Sequence, residues 1–135
     1  MVEPNNPPRK APKAVQRKWQ RVRSFALELP GAVEEFPWGE SVAKVNRKVF
    51  VFLGVEDGSW PLGVTVKLKD EEAHAHAMTC PGAEPAGYGL GKAGWVRVPL
   101  EEQGAPDAEL LCDWVEESYR AIATKKWVGE LDARH

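Results

Sequence analysis

The sequence predicts an α+β fold: a two-layer α/β sandwich in which an antiparallel sheet of about four or more strands carries helices on one face. Three observations lead there. Apolar residues recur at helical spacing near both ends of the chain, the middle alternates with a period of two, and two-residue turn signals separate the alternating runs. Strands joined by tight turns pair antiparallel, and a helix with one apolar stripe has to bury it against such a sheet. With 135 residues, 43% apolar and 28% charged, the chain supports one domain with its own core. That length excludes a multidomain enzyme.

Residues 1–12 carry Pro4, Pro7, Pro8 and Pro12 among polar and basic groups, which predicts a disordered, Pro-rich basic tail ahead of a single domain over 13–135. Beyond Pro12, Val15, Trp19, Val22, Ala26 and Leu29 form one helical stripe, with Arg17, Arg21 and Arg23 largely away from it. Pro30-Gly31 ends that helix. The run 41–45, SVAKV, alternates; Asn46-Arg47 then turns the chain into KVFVFLGV, a more buried strand. Asp57-Gly58 supplies a second turn, and LGVTVKLK puts Val64, Val66 and Leu68 on one face with Thr65, Lys67 and Lys69 on the other. Asp70 caps a short helix, EEAHAHAM, which Pro81-Gly82 stops. Residues 81–94 hold five glycines and two prolines and read as the longest internal loop. WVRVPL follows as a fourth strand. The last helix begins after Asp107 with Leu110, Leu111, Trp114, Val115, Ser118 and Ile122 in register, and the pattern extends through Trp127 and Leu131.

Charge is unevenly spread. Residues 1–23 hold seven basic side chains against Glu3, whereas the remaining 112 residues hold 11 basic and 19 acidic groups, a formal balance of −8. A basic arm thus leads into an acidic body. Neither a membrane-length apolar run nor a signal-peptide pattern is present, so a cytoplasmic protein with reduced Cys80 and Cys112 is expected.

Catalytic and metal motifs fail on context. Gly89-Leu90-Gly91-Lys92-Ala93-Gly94 fits the dinucleotide fingerprint G-x-G-x-x-G, yet it opens a strand and not a helix, so no helix dipole faces a phosphate. His74 and His76, two apart on a helix, lie about 200° from each other and cannot share an ion, which leaves only His76 with Cys80. Cys112 falls within the apolar stripe of the last helix as a small buried hydrophobe. Glu34, Glu35 and Glu40 flank Phe36-Pro37-Trp38-Gly39 and read as solvated carboxylates with no mark of a perturbed pKa. No catalytic residues, metal or cofactor are therefore expected.

Binding remains. Lys44, Arg47 and Lys48 sit at or near the first hairpin tip, Lys67 and Lys69 share a strand face, and with Lys92 and Arg97 they form a set of seven cations around the exposed sheet face and its loops. Trp38, Trp60 and Trp95 offer stacking surfaces. The alternative is a protein- or small-ligand-binding module in which Tyr88, Lys92 and Trp95 line a pocket on the Gly-rich loop 81–94 beside Trp38, with no nucleic acid.

Five segments in order carry a family resemblance: LPGAVEEFPWGES (29–41), NRKVFVFL (46–53), VTVKL (64–68), PAGYGLGKAGWVRV (85–98) and DWVEESYRAIATKKWVGEL (113–131). Over residues 24 to about 131 the chain resembles the bacterial MmcQ/YjbR family, whose fold is similar to that of CyaY. The resemblance implies an antiparallel sheet packed against helices, and a DNA-binding role assigned to members by analogy with paired wings. Here the first hairpin, Asn46-Arg47-Lys48, suits phosphate contact, while the second, Glu56-Asp57-Gly58-Ser59, carries two carboxylates. The iron surface of frataxin-type proteins needs an acidic first helix, and this one is basic. The expectation is a non-enzymatic protein with weak, salt-dependent DNA binding through the basic hairpin and sheet face; monomer and dimer are both left open.

Overall fold

A computed structural model of the protein describes residues 11–54, 62–87 and 89–134. Residues 1–10 of the tail expected over 1–12, the Asp57-Gly58 turn, Trp60 and Tyr88 lie outside the described residues. Helix α1 (Lys13–Glu28) begins directly after Pro12 and buries Trp19, Val22 and Ala26, with Leu29 buried just beyond it. Six strands follow in one sheet: β1 (Val33–Glu35), β2 (Ser41–Val45), β3 (Lys48–Gly54), β4 (Gly63–Lys67), β5 (Glu84–Pro85) and β6 (Trp95–Pro99). Their spatial order is β1-β2-β3-β4-β6-β5, antiparallel at every junction. Helices α2 (Glu71–Met78), α3 (Ala108–Ile122) and α4 (Lys125–Ala133) complete the chain, and the helices pack on one face of the sheet.

Asn46 and Arg47 both take positive φ, 54° and 66°, the conformation that a mirror-image two-residue hairpin turn demands. Along that hairpin the register slips: Ala43 faces Val51 while Lys44 faces Val49, so Phe50 is the extra residue of a bulge. The bulge lets the adjacent side chains of Phe50 and Val51 both bury completely. On the next strand Val64 and Val66 point to the helices and pair with Val98 and Val96. Thr65, Lys67, Trp95 and Arg97 therefore stand on the opposite face, and Phe52 joins them across from Thr65.

The β3–β4 ladder pairs Phe52 with Thr65 and Val51 with Val66. Where the next rung would fall, α3 inserts a side chain. The fully buried Ser118 donates its hydroxyl to the Phe50 carbonyl and accepts from the Lys67 N–H at 2.8 Å. One hydroxyl thus replaces a strand-to-strand bond and ties α3 to both strands. Tyr119 beside it meets the Phe50 ring edge-on at 5.3 Å and donates its hydroxyl to the Pro30 carbonyl at 2.6 Å.

Three expectations need correction. Short strands form at Val33–Glu35 and Glu84–Pro85, where no alternation of four or more residues existed to reveal them. The second lies inside the Gly-rich segment 81–94, which also winds a 3-10 turn over Leu90–Ala93 and so is not a bare loop. The final helix does not run through to Leu131. Ala123 turns extended (ψ 152°), the Thr124 N–H donates to Asn46 Oδ1 at 3.1 Å, and α4 starts afresh. The break lets Trp127 lie against Gly31, where a Cβ would sit 2.7 Å from the indole. No proline or glycine marks this break; tertiary contacts impose it.

Replacing Ser118 with Ala leaves the buried Phe50 carbonyl and Lys67 N–H without their partner. The expected loss in urea denaturation is about 2–3 kcal/mol with an unchanged m-value.

Candidate functional site

The sheet topology gathers one end of the molecule. The β2–β3 turn, the end of β4 and the start of β6 all meet there, since Lys67 pairs with Trp95 and the Leu68 N–H donates to the Gly94 carbonyl at 3.0 Å. Arg47 and Lys48 at the hairpin, Lys69 after β4 and Lys92 on the 3-10 turn are exposed at this end. The start of α4 is tied to the same hairpin through Thr124 and Asn46, which adds exposed Lys125 and Lys126. Those two lysines were visible in sequence, but a helix running straight through them hid their approach to the turn. Acidic groups flank the patch: Asp70 caps α2 by accepting from the Ala73 N–H at 2.9 Å, and Glu71 and Glu72 follow it.

The other three cations of the expected set lie differently. Lys44, Lys67 and Arg97 occupy the strand face opposite the helices, each half-buried. Lys44 is ion-paired with Glu35 at 2.9 Å. The Arg97 guanidinium lies over Gly63 of the neighbouring strand, where a Cβ would come within 2.9 Å of Nη2. Nor is that face bare: Val42 and Trp95 are buried on it, and the Phe52 and Trp95 rings meet edge-on at 5.4 Å. Trp95 is only 7% exposed, which leaves little of its ring for stacking on a base. The side chain of Trp38, like Tyr88, lies outside the described residues.

Glu34 departs from its sequence reading. It is not a solvated carboxylate: Arg23 donates from both Nε and Nη2 to its two oxygens, and the buried Ser41 hydroxyl donates to Oε2 at 2.6 Å. The Arg23 hydrogen bonds hold its pKa below the ordinary value, against a smaller opposing effect of burial. A helix residue and a three-residue edge strand build this cluster, so spacing gave no sign of it.

The metal reading gains nothing. His76 packs its ring edge against Trp114 at 5.4 Å, and the Cys80 thiol donates weakly to the His76 carbonyl at 3.7 Å, with burial pushing that thiol up in pKa. Among the described residues no group of three or more His, Cys, Asp or Glu could hold a metal ion. Cys112 is buried among core side chains of α3, as its stripe position predicts. No helix among the described residues is long and apolar enough to cross a membrane.

Comparison with known families gives a match to the YjbR model over residues 27–121, some two-thirds of the chain. The chain belongs to the YjbR family. Among solved structures, this YjbR-family chain is similar to the crystal structure of Deinococcus radiodurans protein DR2400, described as a DUF419 domain. The two share 30% sequence identity and a TM-score of 0.62, over 82% of this chain and 85% of that one. No curated protein matches the sequence.

The sign of the Glu34 effect fixes a pH dependence. A folded-state pKa below the unfolded one contributes stability above the ordinary carboxylate range, and that contribution is lost as pH falls through the folded value. Glu34→Gln should therefore cost about 1–2 kcal/mol at pH 7. In thermal melts the gap between wild type and variant should shrink as pH drops below about 4; a gap independent of pH would contradict the assignment.

Proposed function

We propose that the protein is a non-enzymatic, nucleic-acid-binding member of the YjbR family that grips the phosphate backbone with the basic end of its sheet. Arg47 carries this reading. It occupies the second turn position at φ 66°, where glycine fits without strain, and it is exposed. An L-residue held there costs about 1–2 kcal/mol relative to its relaxed conformation, and an exposed arginine returns no packing for it. A cation presented at a tip, flanked by Lys48 and backed by exposed Lys69, Lys92, Lys125 and Lys126 at the same end, is the kind of extended positive surface on which a phosphate backbone is held. The half-buried Lys44, Lys67 and Arg97 contribute to the field of this end more than to direct contacts. Asp70, Glu71 and Glu72 oppose phosphate on the α2 side, which confines contact to the hairpin, the 3-10 turn and the start of α4.

Binding of this kind is weak, indifferent to base sequence and governed by counterion release. Fluorescence anisotropy with labelled duplex DNA should give a slope of log K against log salt of about −3 to −4 for four or so neutralised phosphates. Replacing Arg47 and Lys48 together by Ala should flatten that slope by about 2 without changing sequence preference. Affinity that stays level from low to physiological salt would refute the reading. Arg47→Gly separates function from architecture: it should raise stability by about 1 kcal/mol while weakening DNA binding.

A further inference from the structure

At the opposite end of the hairpin from the basic turn, where Ser41 faces Gly54, the sheet and α1 border an open cleft of about 380 Å³. Its walls include Trp19 and Arg23 of α1, Glu34 of β1, Ser41 of β2 and Phe36. Two glycines at positive φ, Gly39 and Gly54, present backbone in place of side chains, and a Cβ on Gly39 would meet no atom within 4 Å. The space is of the order that small-ligand sites occupy, at the lower end of the range of about 300–1,000 Å³.

The lining restricts what fits. Arg23 and Glu34 neutralise each other through their paired hydrogen bonds, so the cleft selects for neither a cation nor an anion. The exposed ring of Phe36 favours a flat, apolar-faced molecule, while Trp19, only 4% exposed, closes the floor beneath it. Trp19 is fixed by its indole N–H, which donates to the Leu53 carbonyl at 2.7 Å, whereas Phe36 lies at the rim with 60% of its surface in solvent. A phenylalanine this exposed contributes nothing to the core. Glu34 adds one polar requirement: a carboxylate offers about four acceptor positions, and Arg23 and Ser41 fill three. Oε1, with one bond from Arg23, has room for one further donor such as an N–H on a ligand.

We infer that this cleft binds a neutral, planar heteroaromatic ring with an N–H donor on its edge, the chemistry of a nucleobase, with Phe36 stacking on the ring and Glu34 accepting from it. The site stands apart from the basic end and does not depend on DNA binding there. An extruded or terminal base of a nucleic acid and a free nucleoside share this chemistry, and a free nucleoside is the simpler probe.

The test titrates the full-length, ¹⁵N-labelled protein with adenosine, cytidine, guanosine and uridine separately, following amide shifts of Gly39, Ser41 and Gly54. At least one nucleoside should shift these amides saturably with a Kd below about 1 mM. Phe36→Leu keeps apolar bulk without a π-face and should weaken that binding at least about fivefold, whereas Phe36→Tyr should retain it. Because Phe36 is exposed, melting temperatures of both variants should match wild type, and Lys48→Ala should leave nucleoside affinity unchanged. Absence of saturable shifts with all four nucleosides, or equal affinity in Phe36→Leu, would overturn the inference. Neither result bears on the salt dependence of duplex binding, so the two proposals fail separately.

Discussion

The buried hydroxyl of Ser118 is the contact on which the rest of the architecture hangs. It stands in for a rung of the β3–β4 ladder, donating to Phe50 and accepting from Lys67, and so it couples the sheet to α3 at the point where the β2–β3 hairpin bulges. A serine is short enough to reach both strands and carries both a donor and an acceptor. The direct β3–β4 ladder ends at Val51 and Val66, and Ser118 bridges the next position. The hairpin tip is anchored through Asn46 Oδ1, which accepts from the Thr124 N–H at the α3–α4 junction. The placement of Arg47, Lys48, Lys125 and Lys126 at one end follows from this pair of polar contacts.

Much of this was legible in the residues. The stripe Val15, Trp19, Val22, Ala26 and Leu29 marks α1, Asn46-Arg47 marks the hairpin turn, and Asp70 and Asp107 mark the starts of α2 and α3, both capping as their residue types imply. What could not be read has a common cause. Strands β1 and β5 are too short to show a period and exist because longer neighbours offer them free edges. The break at Ala123 answers to Trp127 seating against Gly31, a contact between residues far apart in sequence. The bulge at Phe50 likewise answers to α3.

The cations illustrate the same limit. Sequence alternation put Lys67 and Lys69 on one strand face and Lys44 near the hairpin tip, but it could not tell that the face holding Lys44, Lys67 and Arg97 also buries Val42 and Trp95. Lysine and arginine stems lying along apolar surface explain how such a face holds both kinds of residue. The seven cations therefore divide into four that project into solvent and three that lie against the sheet. Glu34 is the reverse case: one of a run of acidic neighbours, it is set apart from Glu35 by strand alternation alone, which aims it toward α1 and Arg23.

The two strands that escaped the sequence also bound the sheet. Each end of a sheet presents unpaired N–H and C=O groups, which invite edge-to-edge association with another chain. Here one border is three residues carrying Glu34 and Glu35, and the other is Glu84-Pro85, in which the proline has no N–H to offer. A second molecule would find two or three residues to pair with on either side. The central strands, rich in valine and phenylalanine, are the segments most prone to cross-β stacking. Two short borders thus leave a valine- and phenylalanine-rich interior sheet little backbone through which to pair edge to edge with a neighbour.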